Sequence, residues 1–400
     1  MTTRQIQDAY IVAAVRTPVG KAPRGMFKTV RPDDMLAHVI KAVVDRCQGL
    51  DPAAIDDVIA GCAMPEAEQG LNVARIALLL AGLPNSVPGM TVNRFCASGL
   101  QTVALAADRI RLGHADVIIA AGTESMSMVP MSGNKMALDP AIFLRDENVA
   151  IAYGMGITGE KVAQRWQISR EAQDEFAVIS HARALGAIEK GEFDEEIIPY
   201  MVEEKRPDLA THEIRSVSVV QDTDEGPRPG TTTQVLATLK PVFAANGTVT
   251  AGNSSQMSDG AAAVIVASEA ALKRFNLNPM GRFLGYAVTG VPPEIMGIGP
   301  VKAIPKVLDQ VGLKKDDLDW IELNEAFAAQ SVAVINELKL NPARVNPLGG
   351  AIALGHPLGA TGAIRTATIM HGLRRRHLKY GMVTMCVGTG MGAAGVFEAL

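Results

Sequence analysis

Aromatic side chains are scarce, at 4% of 400 residues, and there are only four cysteines, Cys47, Cys62, Cys96 and Cys386. None of them forms a CxxC pair and none has a His at metal-ligand spacing, which speaks against a zinc site; no metal is expected. So few thiols in so long a chain do not make a disulfide framework. A reducing compartment follows, and a cytoplasmic protein is expected. An excess of charge of one sign is also missing: 38 Lys plus Arg face 42 Asp plus Glu, a formal net charge of −4. That balance excludes a general polyanion binder, so nucleic acid is not an expected partner, while one basic pocket for a phosphorylated small molecule stays compatible with it. No run of about 18 strongly apolar residues occurs, so no membrane span is expected. The polar stretch Met1 to Ala9 lacks the apolar core of a signal peptide.

Small and ordinary apolar residues are plentiful: 48% of the chain is hydrophobic and 38 residues are glycine. At about 100–200 residues per domain, the length suggests two or three units. Strand and helix patterns alternate, which predicts an α/β chain. Tyr10 to Val15 and Asp57 to Ala63 read as strands, as does the apolar run Val117 to Ala121, which ends at Gly122. Asp34 to Cys47 has helical spacing. Beyond Gly122 the texture changes. Met126 to Arg145 has no clean period, Ser169 caps a helix that stops before Gly191, and residues 192–247 are polar and irregular. Apolar β character returns at Ala261 to Ala267, so about 122–247 reads as an inserted excursion, of the kind that usually serves binding. A second α/β unit begins near Pro279, with strands at Trp320 to Leu323 and Met382 to Val387 and a helix at Ala326 to Leu338. The order of elements after Val92-Asn93 recurs after Val345-Asn346, a faint internal duplication or simply the repetition natural to α/β proteins.

Four segments carry groups able to do chemistry. In Asn93-Arg94-Phe95-Cys96-Ala97-Ser98-Gly99, Cys96 follows a strand-like run and precedes a helix with a buried face at Leu100, Val103, Ala104, Ala107 and Ile110. A thiol at a helix N-terminus meets free N–H groups and the positive end of the dipole, which favours the thiolate and predicts a lowered pKa. Taken alone, such a Cys is more often a small core residue. His356 lies within Gly349 to Gly362, a run too rich in glycine for a plain helix or a simple surface turn. Cys386-Val387-Gly388-Thr389-Gly390 follows an apolar strand, but it lacks the Lys-Ser/Thr of a phosphate loop and is not a nucleotide site. Asn324-Glu325 stands at the carboxyl end of a strand, where α/β sheets place active sites, although Asn324 equally suits a helix N-cap. Arg374-Arg375-Arg376-His377 reads as a solvated helix end, and His38, His114, His181, His212 and His371 as surface residues.

Together and in this order, the segments resemble those of the thiolase family, the acyl-CoA acyltransferases, over essentially the whole chain from Arg16-Thr17-Pro18 to Gly395. The resemblance implies a five-layered α/β/α/β/α core of two similar halves with an inserted loop domain. The N-terminal half would span 1–272, with core 1–121 and 248–272 and loop domain 122–247; the C-terminal half would span 279–400. It also implies that His356 takes the proton of Cys96, and that the thiolate attacks the 3-keto carbon of a 3-oxoacyl-CoA. Cys386 would protonate the departing acetyl-CoA carbanion and then deprotonate the incoming CoA. Oxyanion donors would be His356 and Asn324 (through a water), and the N–H groups of Cys96 and Gly388. For CoA, Arg228 matches an adenine-end contact, Ser255 a pantetheine contact, and Met155 and Phe243 apolar contacts near the acyl group; Val235 replaces a Ser contact of the biosynthetic enzymes. CoA and acyl-CoA enter as substrates, with no permanently bound cofactor. A homodimer or homotetramer is implied, and a complex with a multifunctional β-oxidation subunit is open. Gly154, Arg228-Pro229-Gly230 and Asn253-Ser254-Ser255-Gln256 favour a degradative 3-ketoacyl-CoA thiolase over a biosynthetic acetoacetyl-CoA one. A decarboxylating condensing enzyme usually lacks a Cys at the Cys386 position, and a non-catalytic acyl-CoA binder would be expected to have lost one of Cys96, His356 and Cys386.

Overall fold

The computed structural model describes residues 6–400. Its strands are β1 (Tyr10–Arg16), β2 (Gly20–Lys21), β3 (Asp57–Gly61), β4 (Gly89–Val92), β5 (Val117–Ser125), β6 (Tyr200–Asp208), β7 (Glu213–Gln221), β8 (Ser258–Ala267), β9 (Gly281–Gly290), β10 (Trp320–Leu323), β11 (Tyr380–Val387) and β12 (Met391–Ala399). One mixed sheet runs β10-β11-β12-β9-β1-β8-β5-β3-β4, with β2 attached to β8. The seam between β1 and β9 is antiparallel and joins Tyr10 to Arg282 and Ile11 to Gly281.

The sheet repeats itself on the two sides of that seam. Outward from β1 come two antiparallel pairings (to β8, then β5) and two parallel ones (to β3, then β4). Outward from β9 come two antiparallel pairings (to β12, then β11) and one parallel pairing to β10, followed by a single parallel bridge from Ile321 to Val345. The repeat after Val92-Asn93 and Val345-Asn346 is therefore a repeat of topology.

Period-2 alternation assigns the faces. On β8, Ala261, Ala263, Ile265 and Ala267 pack with the helices Pro32–Asp45 and Val73–Leu80, while Ala262, Val264 and Val266 face the helices Ser98–Arg111 and Leu358–Arg375. In the second half, Val383, Met385 and Val387 face that same central helix pair, while Met382 packs with Gly299–Val311 and Ala328–Leu338. The result is the expected α/β/α/β/α order, with Ser98–Arg111 and Leu358–Arg375 as the middle layer. Both central helices begin beside the site. They cross with backbones in contact: a Cβ at Gly99 would lie 2.6 Å from Ala363 N, and one at Gly362 2.0 Å from Leu100 N. Two glycines of the motif segments are thus required by packing.

Two elements depart from expectation. β5 continues past Gly122, because Thr123, Glu124 and Ser125 keep pairing with Ala261, Gly260 and Asp259. Within the polar stretch 192–247, β6 and β7 form a separate antiparallel hairpin. Its only alternation is the short Ser216-Val217-Ser218-Val219 of β7, and its faces are mostly exposed. The segment between β5 and β8 also holds the helices Met155–Arg165 and Arg170–Glu189. It is tied to β1 by Arg16, whose guanidinium meets Glu196 at 2.6 Å and Asp224 at 2.7 Å. All three side chains are buried, so removing one would strand a charge in the interior.

Candidate active site

Leaving β4, the chain turns sharply into the Ser98–Arg111 helix. Asn93 Oδ1 accepts from Phe95 N (2.7 Å) while its Nδ2 donates to Ala63 O (2.9 Å). Ser98 Oγ accepts from Arg94 N (2.8 Å) and donates to Phe95 O (2.7 Å). These bonds hold Phe95 at φ 43° and set Cys96 in a single 3-10 turn at the helix mouth. Cys96 is 9% exposed, and the backbone N–H groups of Gly388 and of Cys96 itself lie close enough to its sulfur to favour the thiolate. Burial pushes the thiol up to about 11, the two backbone N–H groups oppose the rise, and Glu124 adds to it. The expected lowering is therefore overturned: desolvation of the sulfur outweighs the helix end. At rest Cys96 is a neutral thiol that needs a base.

Gly355, at φ 92°, ends the short helix Ala351–Leu354 and turns His356 inward, where it is 4% exposed. Thr361 Oγ1 donates to Pro357 O (2.9 Å) and stands 2.6 Å from His356 Nδ1. Its one hydrogen is spent on Pro357, so Nδ1 carries the ring proton and Nε2 is the lone-pair nitrogen. Asn324 Nδ2 approaches that Nε2 at 3.3 Å. Burial, then the Arg365 charge, hold the imidazole down to about 3, so it is neutral.

Cys386 lies near the end of β11, fully buried against Val249, Met296, Ala326, Phe327 and Met155. Burial raises its thiol well above the ordinary range, and a charge on Cys96 raises it further. Thr389 (φ 67°) and Gly390 (φ 92°) then reverse the chain into β12, which leaves Gly388 N–H close to Cys96 Sγ. Asn324 follows β10 and does not cap a helix, since the next helix starts at Ala328 with Phe327 as its N-cap. Its Oδ1 is buried without a hydrogen-bond partner among the described residues.

Cys96, Gly388, His356, Asn324 and Cys386 thus come from four distant segments into one buried site. Of the apolar positions, Met155 Sδ lies 3.6 Å from where a Cβ on Gly388 would stand. The Phe243 ring meets Phe327 edge-on at 6.4 Å and covers Gly156. Arg228 lies apart, in a cleft of about 130 Å³ that it shares with Val235, Ser254 and Gln256. Ser255 is between those last two and donates its N–H to Ala326 O (3.0 Å).

A family model described as thiolase, N-terminal domain, matches residues 9–270, and one described as thiolase, C-terminal domain, matches residues 277–399. This chain belongs to the thiolase family. A 3-ketoacyl-CoA thiolase of Bacillus subtilis is 50% identical over 394 residues, covering 98% of this chain and 100% of the relative. The dimeric peroxisomal thiolase of Saccharomyces cerevisiae superposes with a TM-score of 0.89 at 40% identity, covering 100% and 99% of the two chains. The acetyl-CoA acetyltransferase of Bacillus anthracis gives 0.89 at 39% identity, with full coverage of both.

Within this thiolase fold, two buried carboxylates brace the site, and their roles were not read from the sequence. Glu124 accepts from Ala63 N (2.8 Å), Met64 N (3.2 Å) and Gly359 N (2.8 Å), which links the end of β3 to the start of the Leu358–Arg375 helix. Glu325 accepts from Asn346 Nδ2 (2.8 Å), Ser180 Oγ (2.7 Å) and Ile352 N (3.1 Å), which locks the His356 loop. For both, burial raises the carboxyl and these hydrogen bonds oppose the rise. The signal in the chain was a polar cluster closing an apolar strand, Thr123-Glu124-Ser125 in one half and Asn324-Glu325 in the other. The expectation that His181 and His371 lie on the surface is also corrected. Both are buried: His181 accepts from Arg228 N, and His371 Nε2 meets Ala14 O at 3.0 Å.

Proposed function

We propose that this chain is a 3-ketoacyl-CoA thiolase of the degradative type, which splits its substrate with CoA into acetyl-CoA and a shortened acyl-CoA. The observation that carries the reading is the convergence of two buried free thiols, Cys96 and Cys386, with the buried His356 that meets Asn324 at 3.3 Å. One sulfur stands where an oxyanion would be held, and the other stands where a proton must be given and taken back.

The steps balance as follows. His356 Nε2 takes the Cys96 proton as sulfur adds to the 3-keto carbon. Burial opposes each charge alone, but the transfer creates both together and their attraction offsets part of that cost. The N–H groups of Cys96 and Gly388 receive the oxyanion. The C2–C3 bond then breaks, its electron pair leaves on C2 as the acetyl-CoA enolate, and Cys386 protonates C2. His356 Nε2 and a water held by Asn324 stabilise the enolate oxygen. In the second half, the Cys386 thiolate takes the proton of CoA, the CoA sulfur attacks the acyl carbon, and Cys96 leaves and regains its proton from His356. Met155 and Phe243 would flank the acyl chain, while Arg228 and Ser255 would contact CoA, which comes and goes as a substrate.

The degradative choice is supported by relatives named 3-ketoacyl-CoA thiolase at 45–50% identity across 98% of the chain. A homo-oligomer is proposed on the dimeric yeast neighbour, and a cytoplasmic location on the free state of all four cysteines. Thiolysis of a series from acetoacetyl-CoA to a long-chain 3-ketoacyl-CoA tests the reading. Comparable or faster rates on the longer substrates are expected. Activity confined to acetoacetyl-CoA would make the chain biosynthetic, and no activity on any member would remove the thiolase function.

A further inference from the structure

The inserted segment returns to the core through residues 253–258, and that return fastens both turns that carry the site. Asn253 O accepts from Ala328 N (2.9 Å) and Ser255 N donates to Ala326 O (3.0 Å), which holds the turn that follows Asn324. Gln256 Nε2 donates to Ala353 O (2.9 Å), in the short helix Ala351–Leu354 that leads to His356. A carbonyl at the end of so short a helix has no partner within it, and the amide supplies one. Ser258, fully buried at the start of β8, accepts from His356 N on its Oγ (3.1 Å) and donates to Gln256 O (2.9 Å). Between these two fastenings lies Gly355, at φ 92°. A Cβ on it would stand 2.5 Å from Ser258 Oγ, so a glycine is needed for the hydroxyl to reach His356 N. Gly226 closes on the same place: a Cβ there would lie 2.0 Å from Ala353 O and 2.4 Å from Gln256 Nε2.

Thr361 fixes the ring of His356, but the backbone that carries the ring is fixed by Gln256 and Ser258. We propose that Gln256 and Ser258 are positioning residues for the reaction: they hold the turn 353–356 so that the imidazole keeps its place toward Cys96 and toward Asn324 Nδ2, 3.3 Å away. The same imidazole must take a proton from one sulfur and then face an enolate oxygen. A shift of about 1 Å in its backbone would misalign both contacts, at a cost of about a hundredfold in rate. The effect of both residues passes through His356, and for its turnover readout the inference rests on the thiolase reading above. It gives the inserted segment a part in the chemistry, since the residues that close the insertion also set the base.

The test compares the full-length wild type with Ser258→Ala and Gln256→Met, each made alone and on His356→Asn. Met keeps the length of Gln256 and loses the amide. Thiolysis gives kcat and KM. The rate at which iodoacetamide alkylates Cys96 at neutral pH, followed by mass spectrometry, reports proton removal by His356 with no CoA substrate present. Ser258→Ala is expected to lower kcat and the alkylation rate about tenfold and Gln256→Met about threefold, with KM within about twofold of wild type. On His356→Asn neither change is expected to lower either rate further, because the residue they position is gone. An equal further loss on His356→Asn would mean a general loosening of the fold and overturns the inference. Wild-type kcat and alkylation in both single variants overturn it as well. Wild type without thiolysis sinks the thiolase reading, while the alkylation rates still decide this inference.

Discussion

The two halves of the sheet share one strand order, yet they deliver different groups to the common site. In the first half, Asn93 Nδ2 reaches back to Ala63 O (2.9 Å) at the end of β3; in the second, Asn346 Nδ2 reaches back to Leu323 O (2.8 Å) at the end of β10. The contents of the next loop then diverge. After Asn93 only Arg94 and Phe95 precede Cys96, which sits at the helix mouth. After Asn346 the stretch Pro347–Gly355 intervenes, so an imidazole arrives just before the helix instead. Each half also supplies a buried carboxylate: Glu124 ties the end of β3 to the start of the Leu358–Arg375 helix, and Glu325 locks the loop before His356. The comparison teaches that the scaffold supplies two equivalent helix mouths, and that loop length decides whether nucleophile or base is placed there.

The largest break in that comparison is expected from the two thiols. Cys96→Ser is expected to lower thiolysis by on the order of 10⁴-fold and to leave no acyl-enzyme detectable by mass spectrometry. Cys386→Ser is expected to lower turnover by about 10²–10⁴-fold while Cys96 still becomes acylated. Full thiolysis by Cys386→Ser would sink its acid–base role.

A middle-sized effect is expected at Thr361. Thr361→Val leaves the His356 Nδ1–H unpaired in a buried site, and kcat is expected to fall about tenfold. Thr361→Ser restores the hydroxyl and is expected to recover most of the rate. Equal activity of the Val and Ser variants would remove the claim that this hydroxyl fixes the tautomer.

The smallest effect is on stability. His356 is held at about 3 and His181 at about 4 in the folded chain, against an ordinary 6.5. Below pH 6.5 the unfolded chain takes up protons that the folded chain refuses. The stability these residues contribute is therefore whole above that pH and is lost as pH falls toward the folded values. The urea midpoint is expected to drop between pH 7 and pH 4.5, with a shallower slope in His356→Asn. An unchanged slope would mean that His356 is not buried neutral.

Much of this was legible in the chain. Trp320 to Leu323, and Cys96, His356 and Cys386 in their glycine-containing segments, could be read because apolar runs, turns and reactive side chains leave local marks. The β6–β7 hairpin left only the short alternation Ser216-Val217-Ser218-Val219, since its faces are mostly solvated. Nor could the burial of His181 and His371 be read, because helix periodicity does not say what packs over a given face.

The residues alone determined the family, the order of the elements and the groups available for chemistry. Tertiary structure decided their state. Packing buried Cys96 so deeply that its thiol rises rather than falls, brought Gly388 N–H close to its sulfur, and chose the His356 tautomer through Thr361. Solvation and hydrogen bonding across hundreds of residues exist only once the chain has closed on itself, and they govern how readily each group holds its proton.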